Sequence, residues 1–142
     1  MNRNQLSEHF ALEEFIRSAN AERLGICNEP SVEAISNLQC LCQEVLEPLR
    51  EHAGQAIIIT SGYRCRRLNK AVGGVANSQH CTGEAADIHL PDIKTGREWF
   101  DYIAKHLVFD QLIWEHSGDA TWIHVSYRRE YGKNRRHCFR LS

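Results

Sequence analysis

The stretch Ser78-Gln79-His80-Cys81-Thr82-Gly83-Glu84-Ala85-Ala86-Asp87-Ile88-His89-Leu90 decides how this chain is read. Its second half, from Ala85, alternates as a strand does, and its first half is a loop that passes through Gly83. A loop bearing His80 and a strand bearing Asp87 can converge on one point. A third donor, His124, follows in Trp122-Ile123-His124, thirty-seven residues beyond Asp87. Two imidazoles and one carboxylate match the ligand count of a catalytic zinc site, where three side chains hold the ion and a fourth position stays open. The bland alternative is a polar surface pair, the commoner role of a His near an Asp in a chain with eight His. What favours the metal reading is the company this stretch keeps.

Upstream, Ile57-Ile58-Ile59-Thr60-Ser61-Gly62-Tyr63-Arg64 reads as a buried strand running into a turn that presents an Arg, followed by Leu68-Asn69 and Val72-Gly73-Gly74. Together these residues resemble the zinc D-alanyl-D-alanine peptidase family, which also contains phage peptidoglycan L-alanyl-D-glutamate endopeptidases and the zinc-bearing hedgehog signalling domain. Ser61-Gly62-Tyr63-Arg64 looks like the family's substrate-arginine turn. Ser78-x-His80-x-x-Gly83-x-Ala85-x-Asp87 matches its first metal motif at each defined position, and Trp122-x-His124 resembles its last. Leu6-Ser7-Glu8-His9-Phe10, Glu14-Phe15 and Asn37-Leu38 look like the smaller carboxypeptidase-like branch. The resemblance implies one Zn2+ held by His80, Asp87 and His124. It implies that Arg64 contacts the substrate or polarises its scissile carbonyl, and that Ser78 belongs to the substrate-binding residues.

One departure bears on the chemistry. Many members carry a carboxylate three residues before the last ligand, or a second His two before it; here Thr121 and Trp122 stand there. The nearest physical substitute for a catalytic base is Glu115, which closes the run Leu112-Ile113-Trp114. If the flanking segments form an antiparallel hairpin with Glu115 opposite Trp122, then Ile113 pairs with His124 and Glu115 shares His124's sheet face. A slip of one residue turns it away. Asp119 and His116 in the following turn are weaker candidates. Zinc lowers the pKa of a bound water from about 15.7 toward 7, a carboxylate can shuttle the proton to the leaving amine, and Arg64 is expected to help stabilise the oxyanion.

At 142 residues the chain is close to one domain, large enough to bury roughly 68% of its unfolded surface. We expect a single α+β domain over residues 1–142, with a mainly antiparallel central sheet and helices packed on it. The net charge of −1 hides an asymmetry: residues 128–142 hold six Lys or Arg against one acid, residues 1–127 eleven against seventeen. The basic tail reads as a solvated edge strand, with Tyr131, Phe139 and Leu141 interleaved, rather than as a nucleic-acid surface. No run approaches the ~18 apolar residues of a membrane helix, and Met1 to Gln5 is not followed by a signal-peptide core. The chain is therefore expected to be made and kept in the cytosol, reaching a cell wall only after lysis or by a separate export route, and to be monomeric. Six Cys without a secretory signal read as reduced. Cys40 and Cys42 lie about 200° apart on a helix and cannot chelate one ion, and Cys81 reads as a small buried neighbour of His80.

A helix is expected from Leu12 to Ser18, with Gly25 in a turn. The strongest helix is capped by Ser31 and carries Val32, Ile35, Leu38, Cys42, Val45 and Leu49 on one face, with Pro48 late in it as a kink or stop. A strand over Ala56 to Thr60, a helical stretch near Arg67 to Ala71, and a helix led by Pro91-Asp92 with Trp99, Ile103 and Leu107 aligned complete the pattern. The last feature is the hairpin Phe109 to Glu115 and Trp122 to Tyr127, with a turn at His116-Ser117-Gly118-Asp119. Gly73-Gly74 lacks phosphate-loop spacing and reads as a permissive loop beside the substrate cleft. Ser78 as a nucleophile with His80 as base is disfavoured by their closeness in sequence. Two function classes remain. One is a zinc metallopeptidase acting at D-amino acids in peptidoglycan stem peptides, as D-Ala-D-Ala carboxypeptidase or stem endopeptidase. The other is a zinc-holding, catalytically inactive binding module of the same fold.

Overall fold

The described residues, 4–130 and 132–141 of the computed structural model, form one five-stranded sheet with helices on it. The strands are β1 (Ile59–Ser61), β2 (Ala85–His89), β3 (Gln111–Ser117), β4 (Ala120–Ser126) and β5 (His137–Leu141), and the sheet order is β1-β2-β4-β3-β5. Every pairing is antiparallel except that of β3 with β5. The expected α+β class with a mainly antiparallel sheet is thus present. Tyr131 lies outside the described residues.

Alternation decides which face each residue takes. Ala86, Ile88, Leu112, Trp114, Ile123 and Val125 are buried in the apolar core, beneath α6 (Ile93–His106) and the long helix that begins at α3 (Val32–Leu41). Asp92 caps α6 by accepting from the Thr95 N–H at 2.7 Å. Trp99 and Ile103 face inward from it, and Phe100 sets its ring edge against Trp114 at 5.8 Å. The β3–β4 turn is tighter than expected: His116 and Ser117 are still in β3, and only Gly118-Asp119 turn, with Gly118 at φ 59°. Glycine at the first centre of a two-residue hairpin loop supplies that conformation without strain.

The Ser31-capped helix accommodates Pro48 rather than ending before it. After α3, residues Cys42–Leu46 form a π-helical segment in which the Glu47 N–H reaches back to the Cys42 carbonyl, and α4 (Glu47–Ala53) continues. Proline brings no N–H, so its entry into a first turn after a local change of hydrogen-bond frame costs less than in an unbroken α-ladder. Val32, expected inward, is 82% exposed; the buried stripe runs through Ala34, Leu38, Leu41, Val45 and Leu49. The helix expected over Leu12 to Ser18 is shortened to α1 (Glu13–Ile16), and a second helix that was not expected, α2 (Ala19–Leu24), follows it, capped by Ser18. β1 is shorter than expected, with Ile58 exposed between buried Ile57 and Ile59. Two features position the site beyond it: α5 (Arg66–Ala71) and a 3-10 turn, Gln79–Thr82.

Candidate metal centre

His80 is delivered by the 3-10 turn, and the turn is fixed from several sides. Ser78 caps it, its Oγ accepting from the His80 N–H at 3.1 Å, and the Arg64 N–H donates to the His80 carbonyl at 3.0 Å. Gly83 ends it at φ 77°, where a Cβ would fall 2.4 Å from the Ala34 carbonyl oxygen. The motif's glycine is therefore required twice, by its left-handed backbone and by the approach of α3. Asn37 on that helix donates to the Thr82 carbonyl at 2.9 Å.

The imidazole of His80 is oriented by a second glycine. Its Nδ1 lies 2.6 Å from the Gly62 carbonyl, which as an acceptor requires the proton on Nδ1 and leaves the Nε2 lone pair free. Gly62 must be glycine because a Cβ would sit 2.7 Å from the Phe15 backbone; the Phe15 carbonyl takes the next N–H, that of Tyr63, at 2.7 Å. A bulge between Ile59 and Ser61 in β1 lets the chain leave its ladder and cross over the site.

Asp87 and His124 are direct partners across β2 and β4, so their side chains share a face. Asp87 Oδ1 lies 3.0 Å from His124 Nδ1 and 3.4 Å from His80 Nε2. The three donor atoms lie within 4.8 Å of one another. Bonds of about 2.0–2.1 Å at tetrahedral angles place neighbouring ligand atoms about 3.3 Å apart, so the donor set fits a small tetrahedral divalent ion. Burial works to raise the Asp87 carboxyl, but the neighbouring His124 and His80 imidazoles outweigh it and hold it well below the usual carboxylate range. The group offers a charged ligand.

These donors lie in a cleft of about 680 Å3 whose walls include Arg64, Gly73, Gly74, Ser78, Gln79, Ile113, Glu115, Trp122, Arg128 and Arg135. A wider groove of about 980 Å3 passes over Glu47, His52 and Tyr102 and contains none of the three donors. The β3–β4 register pairs Ile113 with His124 and Glu115 with Trp122, so Glu115 has the expected face. Its Oε2 accepts from Trp122 Nε1 at 2.9 Å. That bond ties Glu115 to Trp122 across the hairpin. His116, one residue on, has the opposite face and bonds Thr121 at 2.8 Å, and Asp119 is exposed in the turn; neither lines the cleft. Arg64 does, and its Nε is buried with no protein partner. Cys81 faces a different groove with Asn37 and Glu84, and all six cysteines are free thiols.

Two cleft residues, Gln79 and Arg135, and the buried Asp110 that joins them escaped the sequence reading. Gln79 stood at an undefined motif position; its Nε2 donates to Asp110 Oδ2 at 2.9 Å while its Oε1 is buried without a partner. Asp110 is fully buried and takes Arg135 Nε at 3.0 Å and Nη2 at 2.8 Å. Arg135 belongs to the basic tail, read as solvated edge; β5 is an edge strand and Arg135 in the loop before it is exposed, but its guanidinium reaches back to the buried Asp110. A lone buried acid just before a strand, with a basic run downstream, was the available signal.

Among the described residues no helix is long and apolar enough to cross a membrane. No curated protein is a significant match to the chain. A sequence model described as Peptidase M15 matches residues 8–126, a span that contains Arg64, the capped turn, all three donors and Glu115. A match over that much of the chain, joined to a His-Asp-His donor set with one imidazole already oriented to ligate, means that this protein belongs to the Peptidase M15 family of zinc metallopeptidases.

Proposed function

We propose that the protein uses Zn2+ held by His80, Asp87 and His124 to cleave peptide bonds at D-amino acids in peptidoglycan stem peptides, as a D-Ala-D-Ala carboxypeptidase or stem endopeptidase. The observation that carries this reading is the carboxylate of Glu115 on the same sheet face as Asp87 and His124, in one cleft with His80. It supports turnover, because a binding module of this fold has no need of a base there. Zinc, when bound, supplies a Lewis acid that makes water nucleophilic near neutral pH.

The chain's own residues do the rest. With Oε2 engaged by Trp122, Glu115 keeps Oε1 to take the proton of the attacking water and return it to the leaving amine nitrogen. Water's oxygen bonds the scissile carbonyl carbon, and the C–N bond breaks as that nitrogen gains its proton. Arg64, on the cleft wall, brings a guanidinium to the oxyanion. Ser78, whose Oγ already accepts from His80, has its hydroxyl proton left to offer a substrate carbonyl.

The test is release of D-alanine from a stem pentapeptide by purified protein, abolished by chelation and restored by zinc. Protein that retains zinc stoichiometrically and releases none would instead be the binding module. Arg64→Ala is expected to lower turnover by about 100-fold or more, in line with the roughly 3 kcal/mol lost with one oxyanion donor, while its unfolding transition stays in place.

A further inference from the structure

The family match ends at Ser126, yet the cleft does not. Arg128 and Arg135 lie beyond the match and line the same cavity as the three donors. Their place along it follows from register. Gln111, Ile113 and Glu115 alternate along one face of β3; Ile113 is level with His124, and Glu115 with Trp122 and Leu141. The Gln111 N–H donates to Ser126 Oγ at 2.9 Å, Asp110 anchors Arg135, and Arg128 is two residues past Ser126. The cleft therefore has a basic end at Gln111 and an acidic, aromatic end at Glu115 and Trp122. Each lies two strand residues, about 7 Å, from the row of the donors.

The basic end is built rather than frayed. Arg128 N–H donates to Asn134 Oδ1 at 2.8 Å and Asn134 Nδ2 returns to the Arg128 carbonyl at 3.0 Å, closing the loop so that Arg135 follows directly. Arg135 is committed through Nε and Nη2 to Asp110. Arg128 is the less compensated cation: its nearest carboxylate, Glu84, is 4.0 Å away.

We propose that this C-terminal arm makes the Gln111 end of the cleft a subsite for a free carboxylate on the leaving side of the substrate. Arg128 is the anion contact, and Arg135 lends a second, rigidly held charge. The inference rests on the peptidase reading and deepens it. A guanidinium matches a carboxylate's fork, and one residue of extended peptide with an arginine side chain spans the separation from the donors. Glu115 at the other end repels the same carboxylate, so the substrate lies with its C-terminus toward Arg128. The enzyme then removes a terminal residue in preference to cutting within a longer strand.

The probe is N-acetyl-D-alanyl-D-alanine with its scissile amide replaced by a non-hydrolysable methyleneamine, compared with its C-terminal carboxamide, each titrated calorimetrically into the zinc-loaded full chain. The acid is expected to bind about 10- to 100-fold tighter, the range for hydrogen bonds to charged groups. Arg128→Ala should bring the ratio near one and Arg128→Glu should favour the carboxamide, with circular dichroism confirming the fold. Equal binding of both probes to the native protein, no binding of either, or an undiminished ratio in Arg128→Ala overturns the subsite. Acid preference in a protein that hydrolyses no stem peptide would leave the subsite standing and remove the peptidase reading. Hydrolysis without acid preference would do the reverse.

Discussion

On one face of β2, β3 and β4 the residues Ala86, Ile88, Leu112, Trp114, Ile123 and Val125 are shut away under helices, while the other face of the same strands presents Asp87, Glu115, Trp122 and His124 to the cleft. The two faces share one register and one backbone, but their energetics are opposed. The apolar face gains from leaving water; the cleft face gathers a carboxylate and two imidazoles that cost free energy to desolvate unless something binds them. Because the side-chain period is two, a slip of one residue would exchange the faces. The core thus enforces the register that the site needs, and each face can be disabled without the other.

The largest expected effect comes from Asp87→Ala. Losing one of the three proposed ligands should cost more than the 10–100-fold typical of an outer-shell partner, so metal content after dialysis is expected to fall to near zero and stem-peptide hydrolysis with it. The protein should still unfold cooperatively in urea. Stoichiometric metal in this variant would mean that the ion sits elsewhere. Glu115→Gln separates holding the metal from using it. Metal content and urea midpoint should be unchanged while kcat drops by about 10^2- to 10^4-fold, the usual reach of general acid–base catalysis. A variant as fast as the native protein would move the base off this face.

Most of this arrangement was legible in the sequence because it rests on short-range regularities. The Ser78 to Asp87 spacing and the alternation in β2 let His80 and Asp87 converge, the family resemblance joined His124 to them as a ligand set, and Glu115 depended on a hairpin register that β3 and β4 do adopt. What escaped depends on distant backbone. Nothing local says that Gly62 must accept His80 Nδ1; that follows from Phe15 lying against it. The π-helical segment before Pro48 is one of several ways to absorb a missing N–H, and sequence alone does not choose. Arg135 looked like one charge in a solvated run, because its partner Asp110 is twenty-five residues earlier. An edge strand such as β5, pairing parallel to β3, has no alternation strong enough to announce its neighbour.

Leu112→Ala breaks the comparison from its other side. The side chain is fully buried in the core, and such truncations cost about 2–5 kcal/mol. The urea midpoint should fall with little change in slope, while metal content measured well below the transition stays stoichiometric. Metal loss in the folded variant would show that the two faces are coupled more tightly than the shared register requires.

The smallest effect lies at the seam, where Asp110 joins the strand that carries both faces to the C-terminal arm. Its carboxylate is fully enclosed. Burial works to raise its pKa, but the side-chain and backbone N–H groups of Arg135, with Gln79, outweigh it and lower the value from the ordinary 3.8 to about 2. A carboxyl depressed on folding gives stability that is fully present above its unfolded pKa and is lost as pH falls through the folded one. The window is therefore from about pH 4 down to about pH 2, and the contribution is about 2 kcal/mol. Other carboxylates titrate in the same range, so the informative quantity is a difference. Urea unfolding of metal-free native protein and of Asp110→Asn at several pH values should give a native advantage that shrinks by about that amount between pH 4.5 and pH 2. A pH-independent advantage would mean that Asp110 ionises alike in both states and that Arg135 is held by its backbone alone.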